Sequence, residues 1–215
     1  MTEIAGTPLI GVLALQGDFE AHGRMLRKLG PTPPQVREVR VPRDLEGIEG
    51  LVIPGGESTT MTLGIAREGL AEPLRKIVHA GVPVLGSCAG LIMLDRDHLG
   101  LMDMRAERNA FGRQLQSFEV DIELRGLDRV EIGDGEVGDE GGGEGGGDGG
   151  SPAGNTLRAV FIRAPWIAEH GPGVEILAEV EGHPVAAREG NMLAVAFHAE
   201  LTGDDRVHRL FLSMV

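Results

Sequence analysis

The chain has 215 residues, of which 41% are hydrophobic, and a formal net charge of −13. This length suits the core of one α/β domain, and no concentrated basic face is visible in the sequence, which argues against a nucleic-acid partner. The single cysteine, Cys88, excludes an internal disulfide framework and Cys-based zinc sites, and leaves a buried filler, a redox-sensitive surface thiol or a nucleophile.

The first half of the chain alternates short apolar runs with segments of helical periodicity, a pattern typical of βαβ units and a parallel sheet. The N-terminus has no basic start and its apolar stretch is too short to cross a bilayer, so we expect a cytoplasmic protein without membrane association. We predict strands at 9–15 and 50–54 and a helix over about 18–29. The inward face of that helix carries Phe19, Met25, Leu26 and Leu29.

Further along, AEPLRKIVHAG predicts a helix that ends at Gly81, and the strand VPVLG follows and leads directly to Cys88. The second half is rich in strands, which we expect to form hairpins that extend the sheet. These strands are RQLQSFEVDIEL, LRAVFIRAP, VEILAEV, HPVAARE and MLAVAFH. The C-terminal segment predicts a helix whose apolar stripe is Val207, Leu210, Phe211 and Met214.

An acidic, glycine-rich stretch at 133–154 contains six acidic residues and no basic ones. Glycine and acidic residues bury too little apolar area to offset chain entropy, so we interpret the stretch as a disordered loop inserted in a single domain of residues 1–215. A flexible linker between two domains is the alternative. The part beyond it is only about 60 residues long and looks like the completion of a sheet.

Cys88 lies in the segment Gly86–Gly90, which has the G-x-nucleophile-x-G spacing of a nucleophile elbow between a strand and a helix. A side chain two positions away on either side would collide with the crossing strand or helix. The helix N-terminus favours a thiolate, and the backbone N–H of Ala89 becomes available to a developing oxyanion. Because short glycine motifs recur by chance, a small buried residue at a turn is an equal alternative from spacing alone.

Two further strand ends carry polar residues. The strand AVAF ends at His198, with Glu200 two positions later, and catalytic groups gather beyond the carboxyl ends of strands in α/β sheets. His198 could accept the thiol proton while Glu200 orients the imidazole; a strand-end histidine beside a solvated glutamate is the alternative. After the strand at 50–54, Gly55 and Gly56 can turn backbone N–H groups toward a substrate, or form an ordinary turn with Ser58 or Thr59 capping the next helix.

Six segments follow one another along almost the whole chain: GVLALQGDFEAH, LVIPGGESTTM, GSCAGLIML, ERNAFGRQLQSFE, VFIRAP and FHAELTGDDRVHRLF. Together they resemble the class I (triad) glutamine amidotransferases. Within that family, GGESTTM and RNAFGRQ are similar to the glutaminase subunits of pyridoxal 5'-phosphate synthases. The resemblance implies an α/β three-layer sandwich of flavodoxin-like type, with a mixed, mainly parallel central sheet and an antiparallel extension in the C-terminal half.

The resemblance also implies a catalytic triad of Cys88, His198 and Glu200, and an oxyanion hole formed by Gly56 and Ala89. The implied binding residues for L-glutamine are Gly55, Gly56, Glu57, Ser58, Arg108, Ile162 and Arg163. Arginine suits the carboxylate of a free amino acid, although surface solvation or a structural ion pair would explain either arginine without the resemblance.

The implied reaction is hydrolysis of L-glutamine to glutamate and ammonia through a cysteine thioester, with no cofactor and no metal. The implied partner is a synthase subunit that receives the ammonia within a large ring-shaped hetero-oligomer. Ala199 departs from the family, which has proline between the histidine and the glutamate. A glutaminase for another synthase, an elbow-cysteine hydrolase of the peptidase and chaperone type, and a catalytically idle docking subunit are the alternatives.

Overall fold

The computed structural model describes residues 7–108, 117–130 and 154–215. Its strands are β1 (Leu9–Leu13), β2 (Gln35–Val39), β3 (Gly50–Ile53), β4 (Val84–Ser87), β5 (Met104–Glu107), β6 (Ser117–Glu123), β7 (Thr156–Ile162), β8 (Trp166–His170), β9 (Glu175–Val180), β10 (His183–Glu189) and β11 (Met192–Val195). Its helices are α1 (Phe19–Leu26), α2 (Ser58–Arg67), α3 (Ala71–His79), α4 (Ala89–Leu94) and α5 (Arg206–Leu212), with 3-10 turns at Pro42–Leu45 and Leu127–Arg129.

Seven strands form one mixed sheet in the order β2-β1-β3-β4-β11-β10-β9. Neighbours from β2 to β11 pair in parallel, and β10 and β9 continue the sheet antiparallel. The predicted α/β class, with a mainly parallel sheet and an antiparallel extension in the C-terminal half, is therefore confirmed. Because β4 and β11 are parallel neighbours, Cys88 and the segment after Val195 leave the same edge of the sheet.

Not every predicted hairpin extends this sheet. In the second half of the chain, β9, β10 and β11 belong to it, whereas β6 with β7 and β5 with β8 form separate two-stranded sheets. The strands β5 and β8 were not predicted, since the four residues MRAE are too few to establish a period and WIAEH lacks a clean alternation of apolar and polar residues. The predicted loop at 133–154 falls almost wholly on 131–153, outside the described residues, and stays a prediction.

Two predicted helices are shorter than expected. Helix α1 ends at Leu26, and Leu29 is buried just beyond its end. Helix α5 ends at Leu212, so Met214 packs on the core from outside the helix. Within the described ranges, no helix is long and apolar enough to cross a membrane.

The tight approach of α4 to the sheet depends on the two glycines of the elbow. A Cβ on Gly86 would lie 2.7 Å from the carbonyl oxygen of Gly90 and 2.7 Å from Cδ1 of Leu94. A Cβ on Gly90 would press directly on the carbonyl oxygen of Ile53, at the end of β3. The expected collisions with the crossing helix and strand are therefore present, and both positions require glycine for steric reasons.

We predict that Gly90→Ala lowers the free energy of unfolding by about 1–3 kcal/mol, because a rigid backbone oxygen must move. Urea denaturation measures the loss. The matched control is Gly173→Ala at an exposed turn, where the nearest atom is Oε1 of Glu189, 3.3 Å away on a flexible side chain. The control should change stability by no more than about 0.5 kcal/mol, and equal losses in both variants would contradict this account.

Candidate active site

Cys88 occupies a strained turn between β4 and α4. Its backbone has φ 49° and ψ −104°, a positive φ that it shares with only Arg163 and Glu181 among the described non-glycine residues. Its N–H donates to the carbonyl oxygen of Val195, 2.8 Å away, which ties the turn to β11. The residue is buried, with 5% of its surface exposed, so neighbouring groups and not solvent determine the environment of its sulfur.

His198 and Glu200 form a short, buried hydrogen bond directly after β11. Nδ1 of His198 lies 2.6 Å from Oε1 of Glu200, and both residues are less than one tenth exposed. The backbone N–H of His198 donates to the carbonyl oxygen of Val160, and its own carbonyl oxygen accepts from the N–H of Leu201 in a tight turn. Ala199 is the second residue of that turn, where proline is also favourable because its φ is preset.

The structure brings Cys88 and His198 together. The side chain of Cys88 lies close enough to the His198 ring to raise the pKa of the imidazole, and Gly55 packs against both residues. A Cβ on Gly55 would lie 2.6 Å from Cε1 of His198 and 3.4 Å from Cβ of Cys88. A sulfur, an imidazole and a carboxylate thus follow one another in hydrogen-bonding order, which is the arrangement of a nucleophile, a base and an orienting group.

The contacts around His198 favour a protonated imidazole beside an ionised Glu200. Burial lowers the pKa of His198, but hydrogen bonds to Cys88 and Glu200 outweigh it and raise the pKa to about 10. Burial raises the pKa of Glu200, but its contacts with His198 and His22 outweigh burial and hold that pKa well below the usual range. Glu200 is therefore ionised at neutral pH, and His198 keeps its proton.

A cavity of about 350 Å³ opens beside the sulfur. Its lining consists of Asp18, Gly56, Glu57, Ser58, Cys88, Arg108, Ile162, Arg163 and His198. Nearly all of the predicted glutamine-binding residues therefore surround one space. Gly55 and Ala89, in contrast, are not part of this lining, although each neighbours a residue that is.

The arginines of the cavity differ in how they are held. The guanidinium of Arg108 donates to Oγ of Ser58 and Oγ1 of Thr59, each 3.3 Å away, so it has no carboxylate partner in the described part of the chain. Arg163 is exposed at the end of β7 and has φ 45°. Strained backbone conformations cluster at binding sites, because they give a side chain a direction that an unstrained backbone would not.

Glu57 caps helix α2, in place of the Ser58 or Thr59 cap that belonged to the ordinary-turn alternative. The helix begins at Ser58, so the residue before it holds the cap position, and its carboxylate accepts from the N–H groups of Thr59 and Thr60 at 3.1 and 2.7 Å. Bonds from Thr60 first, and then from Thr59, lower the pKa of Glu57 to about 2. The Glu57 carboxylate is thus already committed to the helix, and its backbone is paired with the side-chain amide of Gln16.

Two residues at the site were not predicted from the sequence. Oδ2 of Asp18 lies 3.5 Å from Nδ1 of His198, and Nε2 of His22 lies 3.1 Å from Oε2 of Glu200. Both follow the carboxyl end of β1 in QGDFEAH, a strand end that could have indicated them. Possible metal-ligand atoms lie within 4.8 Å of one another in one group of the described residues, Asp18, His198 and Glu200. Two of these three residues, His198 and Glu200, are already joined by their 2.6 Å hydrogen bond.

Comparison with known proteins agrees with this geometry. The pattern of the SNO glutamine amidotransferase family matches residues 12–139 and 146–215. Pyridoxal 5'-phosphate synthase subunit PdxT of Mycobacteroides abscessus is 44% identical over 97% of this chain and 98% of its own, and the Frankia alni subunit of the same name is 45% identical over 97% and 95%.

A solved glutamine amidotransferase superposes with a TM-score of 0.77 at 39% identity, covering 95% of this chain and 97% of its own. PurLQS from Thermotoga maritima, at a TM-score of 0.66 and 17% identity over 97% of both chains, shares the fold alone. Fold and site together thus define a glutamine amidotransferase of the cysteine elbow type. The chain belongs to the SNO glutamine amidotransferase family.

The shifted pKa values of His198 and Glu200 predict a pH window of maximal stability. The pKa of His198 is raised from 6.5 to about 10, so its contribution is fully present below pH 6.5 and is lost as the pH rises through 10. The pKa of Glu200 is lowered from 4.5, so its contribution is present above pH 4.5 and is lost as the pH falls below that value.

We therefore expect the melting temperature to peak near pH 6.5 and to fall from there to pH 10, because buried His208, whose pKa is lowered to about 3, costs stability below pH 6.5. In His198→Gln the alkaline fall should be shallower, whereas the exposed control His79→Gln should keep the shape of the parent curve. Thermal scans across the pH range measure this. Stability that rises between pH 6.5 and 10 in the parent protein would contradict the shift.

Proposed function

We propose that this chain is the glutaminase subunit of a pyridoxal 5'-phosphate synthase. It hydrolyses L-glutamine to L-glutamate and ammonia, and it supplies the ammonia to a synthase subunit. The observation that carries the proposal is the hydrogen-bonded succession of Cys88, His198 and Glu200 at the wall of a cavity lined by two arginines. The names of the relatives from Mycobacteroides abscessus and Frankia alni supply the pathway.

In the first step the thiolate of Cys88 attacks the side-chain amide carbon of glutamine and forms a tetrahedral intermediate. The N–H groups of Gly56 and Ala89 stabilise its oxyanion, because both belong to turns that flank the sulfur. The imidazolium of His198 then gives its proton to the amide nitrogen, the carbon–nitrogen bond breaks, and ammonia leaves a γ-glutamyl thioester on Cys88.

In the second step the now neutral imidazole of His198 removes a proton from water, which attacks the thioester carbon. Collapse of the second tetrahedral intermediate releases glutamate and returns Cys88 to its thiolate form. Glu200 keeps the proton-carrying Nδ1 of His198 oriented throughout, so that Nε2 is the nitrogen that exchanges protons with sulfur and substrate. The reaction is acyl transfer, and we propose that it uses neither a cofactor nor a metal.

For glutamine binding, we assign the α-carboxylate to the guanidinium groups of Arg108 and Arg163. Among the described residues, Arg108 bonds to two hydroxyl groups through one nitrogen, which leaves other donors of its fork for a carboxylate. The remaining binding contacts come from residues on the glycine loop and at the end of β7. These are Gly55, Gly56, Glu57, Ser58 and Ile162.

The wider setting is also part of the proposal. We propose that residues 1–215 form one domain and that it docks with the synthase subunit in a large ring-shaped complex in the cytoplasm. Docking would complete the oxyanion hole, since Ala89 is buried and lies outside the cavity lining of the free chain. A catalytically idle docking subunit is the competing function, because Ala199 replaces the family's proline in the turn that presents Glu200.

A glutamine-mimicking diazoketone separates the two functions, since Cys88 is the only thiol in the chain. With the synthase subunit present, we expect one equivalent of label on the parent protein, protection by L-glutamine but not by D-glutamine, and no label on Cys88→Ala. Intact-protein mass spectrometry measures the label, and a coupled glutamate assay measures the activity.

In the same complex, Cys88→Ala should lower glutamine hydrolysis at least about 10³-fold while leaving association with the synthase unchanged. Arg43→Ala, which alters an arginine that is 86% exposed in its side chain, is the matched surface control and should retain parental activity. A parent protein that associates normally but neither hydrolyses glutamine nor takes the label would establish the idle docking subunit instead.

A further inference from the structure

Two completely buried histidines lie behind Glu200 and take no part in the reaction steps above. His22 comes from α1 and His208 from α5, and each has 0% of its surface exposed. Buried histidines without a structural partner are costly, because an imidazole carries at least one N–H that needs an acceptor. Their arrangement therefore has to be explained by the groups that they contact.

The two histidines continue the catalytic succession into the core. Nε2 of His208 lies 2.8 Å from Nδ1 of His22, and Nε2 of His22 lies 3.1 Å from Oε2 of Glu200. The second contact is oblique, since the N–H of His22 does not point straight along it. Oε1 of the same carboxylate holds His198, so the carboxylate of Glu200 stands between two imidazoles.

The other donor near Oε2 is the hydroxyl group of Ser87. Its Oγ lies 3.3 Å from Oε2 of Glu200 and 3.0 Å from the carbonyl oxygen of Phe197. A hydroxyl group has one hydrogen, and the shorter contact is with Phe197. His22 is therefore the second donor that the described residues offer to this oxygen, and its contact is the shorter of the two, 3.1 Å against 3.3 Å.

The protonation pattern follows from the contacts. Burial, together with the facing His22 and against the effect of Glu200, lowers the pKa of His208 to about 3, so this ring is neutral. If His22 donated from Nδ1, whether neutral or cationic, the hydrogen of His208 would lie on Nδ1, which has no acceptor among the described residues. A neutral His22 with its hydrogen on Nδ1 would also have a bare Nε2, and the lone pair of that nitrogen would face the Glu200 carboxylate.

The remaining arrangement places one hydrogen in each gap. His208 donates from Nε2 to Nδ1 of His22, and His22 donates from Nε2 to Oε2 of Glu200. Among the described residues, two buried atoms then lack an ideal hydrogen bond: Nε2 of His22, whose 3.1 Å contact with Oε2 of Glu200 is oblique, and Nδ1 of His208, a bare acceptor, which costs less than a buried donor. Hydrogen-bond donation thus runs from His208 through His22 to Glu200, and the same carboxylate also accepts from Nδ1 of His198.

We propose that His22 is a positioning residue for the reaction: held in its Nε2–H form by His208, it fixes Oε2 of Glu200 and thereby keeps Oε1 on Nδ1 of His198. The proposal rests on the glutaminase function proposed above. Without His22, the carboxylate is free to rotate away. Oδ2 of Asp18, 3.5 Å from the same nitrogen, then becomes a competing acceptor that would turn the imidazole from its place.

Activity measurements on the complex with the synthase subunit test this with three variants. His22→Leu removes both polar atoms and should lower kcat about 10- to 100-fold with KM changed less than about 2-fold, because orientation and not substrate binding is lost. His22→Gln should retain at least about a third of the parental kcat, since its amide N–H and carbonyl oxygen reproduce the donor and the acceptor in the same direction. The exposed control His79→Leu should match the parent protein.

The pH profile separates positioning from a merely structural role. Glu200 faces His22, His198 and Ser87, with His208, Cys88 and Asp18 one contact further away. Removing His22 takes away one of the two imidazoles that stabilise the carboxylate anion, so the acid limb of kcat should move to higher pH in His22→Leu and stay in place in His22→Gln. An equal loss of kcat in His22→Leu and His22→Gln, with no shift of the acid limb, would overturn the proposal.

If His22→Leu does not fold, His22→Asn replaces it, because the shorter amide cannot bridge both gaps; parental kcat and pH profile in that variant would overturn the proposal. Nitrogen-15 spectra of the histidine rings give an answer independent of activity: both buried rings should carry hydrogen on Nε2 only. Hydrogen on Nδ1 of His208 would overturn the assignment. An inactive parent complex would instead count against the glutaminase function, while these spectra would still decide the tautomers.

Discussion

The site depends on one buried carboxylate, that of Glu200. Taking an anion out of water is costly, and the cost is offset only when donors surround it. Here an imidazole lies within 2.6 Å of one oxygen, and the other lies 3.1 Å from a second imidazole and 3.3 Å from a hydroxyl group. These donors come from α1, from the last residue of β4 and from the turn after β11. The packing that brings these three elements together is therefore also what orients His198.

Steric constraints at the sheet edge complete the arrangement. Parallel pairing of β4 with β11 brings Cys88 and His198 to the same edge, and glycine at positions 86 and 90 lets α4 approach closely enough to hold the strained turn. Gly55 leaves room for the imidazole, since a Cβ there would lie 2.6 Å from Cε1. The sulfur, the imidazole and the cavity thus occupy positions that larger side chains would block.

The elements that were predicted correctly are those with strong local signals in the sequence. The buried runs of β3 and β4 and the glycine spacing around Cys88 are such signals, and so is the α/β order. The strands β5 and β8 are too short to show a clear period, and they are held by pairing with each other. His22 lies in the apolar stripe of α1 between Phe19 and Leu26, but its partner His208 is 186 positions away, and no local pattern indicates that contact. The roles assigned to the cavity residues stay predictions.

The most direct measurement of the central claim is the rate of glutamine hydrolysis by Glu200→Gln in the complex with the synthase subunit. The substitution keeps the size of the side chain and removes its charge. If the carboxylate orients His198 and stabilises its cation, kcat should fall at least about 10²-fold while KM and association with the synthase stay near the parental values. A kcat within about 3-fold of the parent protein would contradict the account, because His198 would then need no anion behind it.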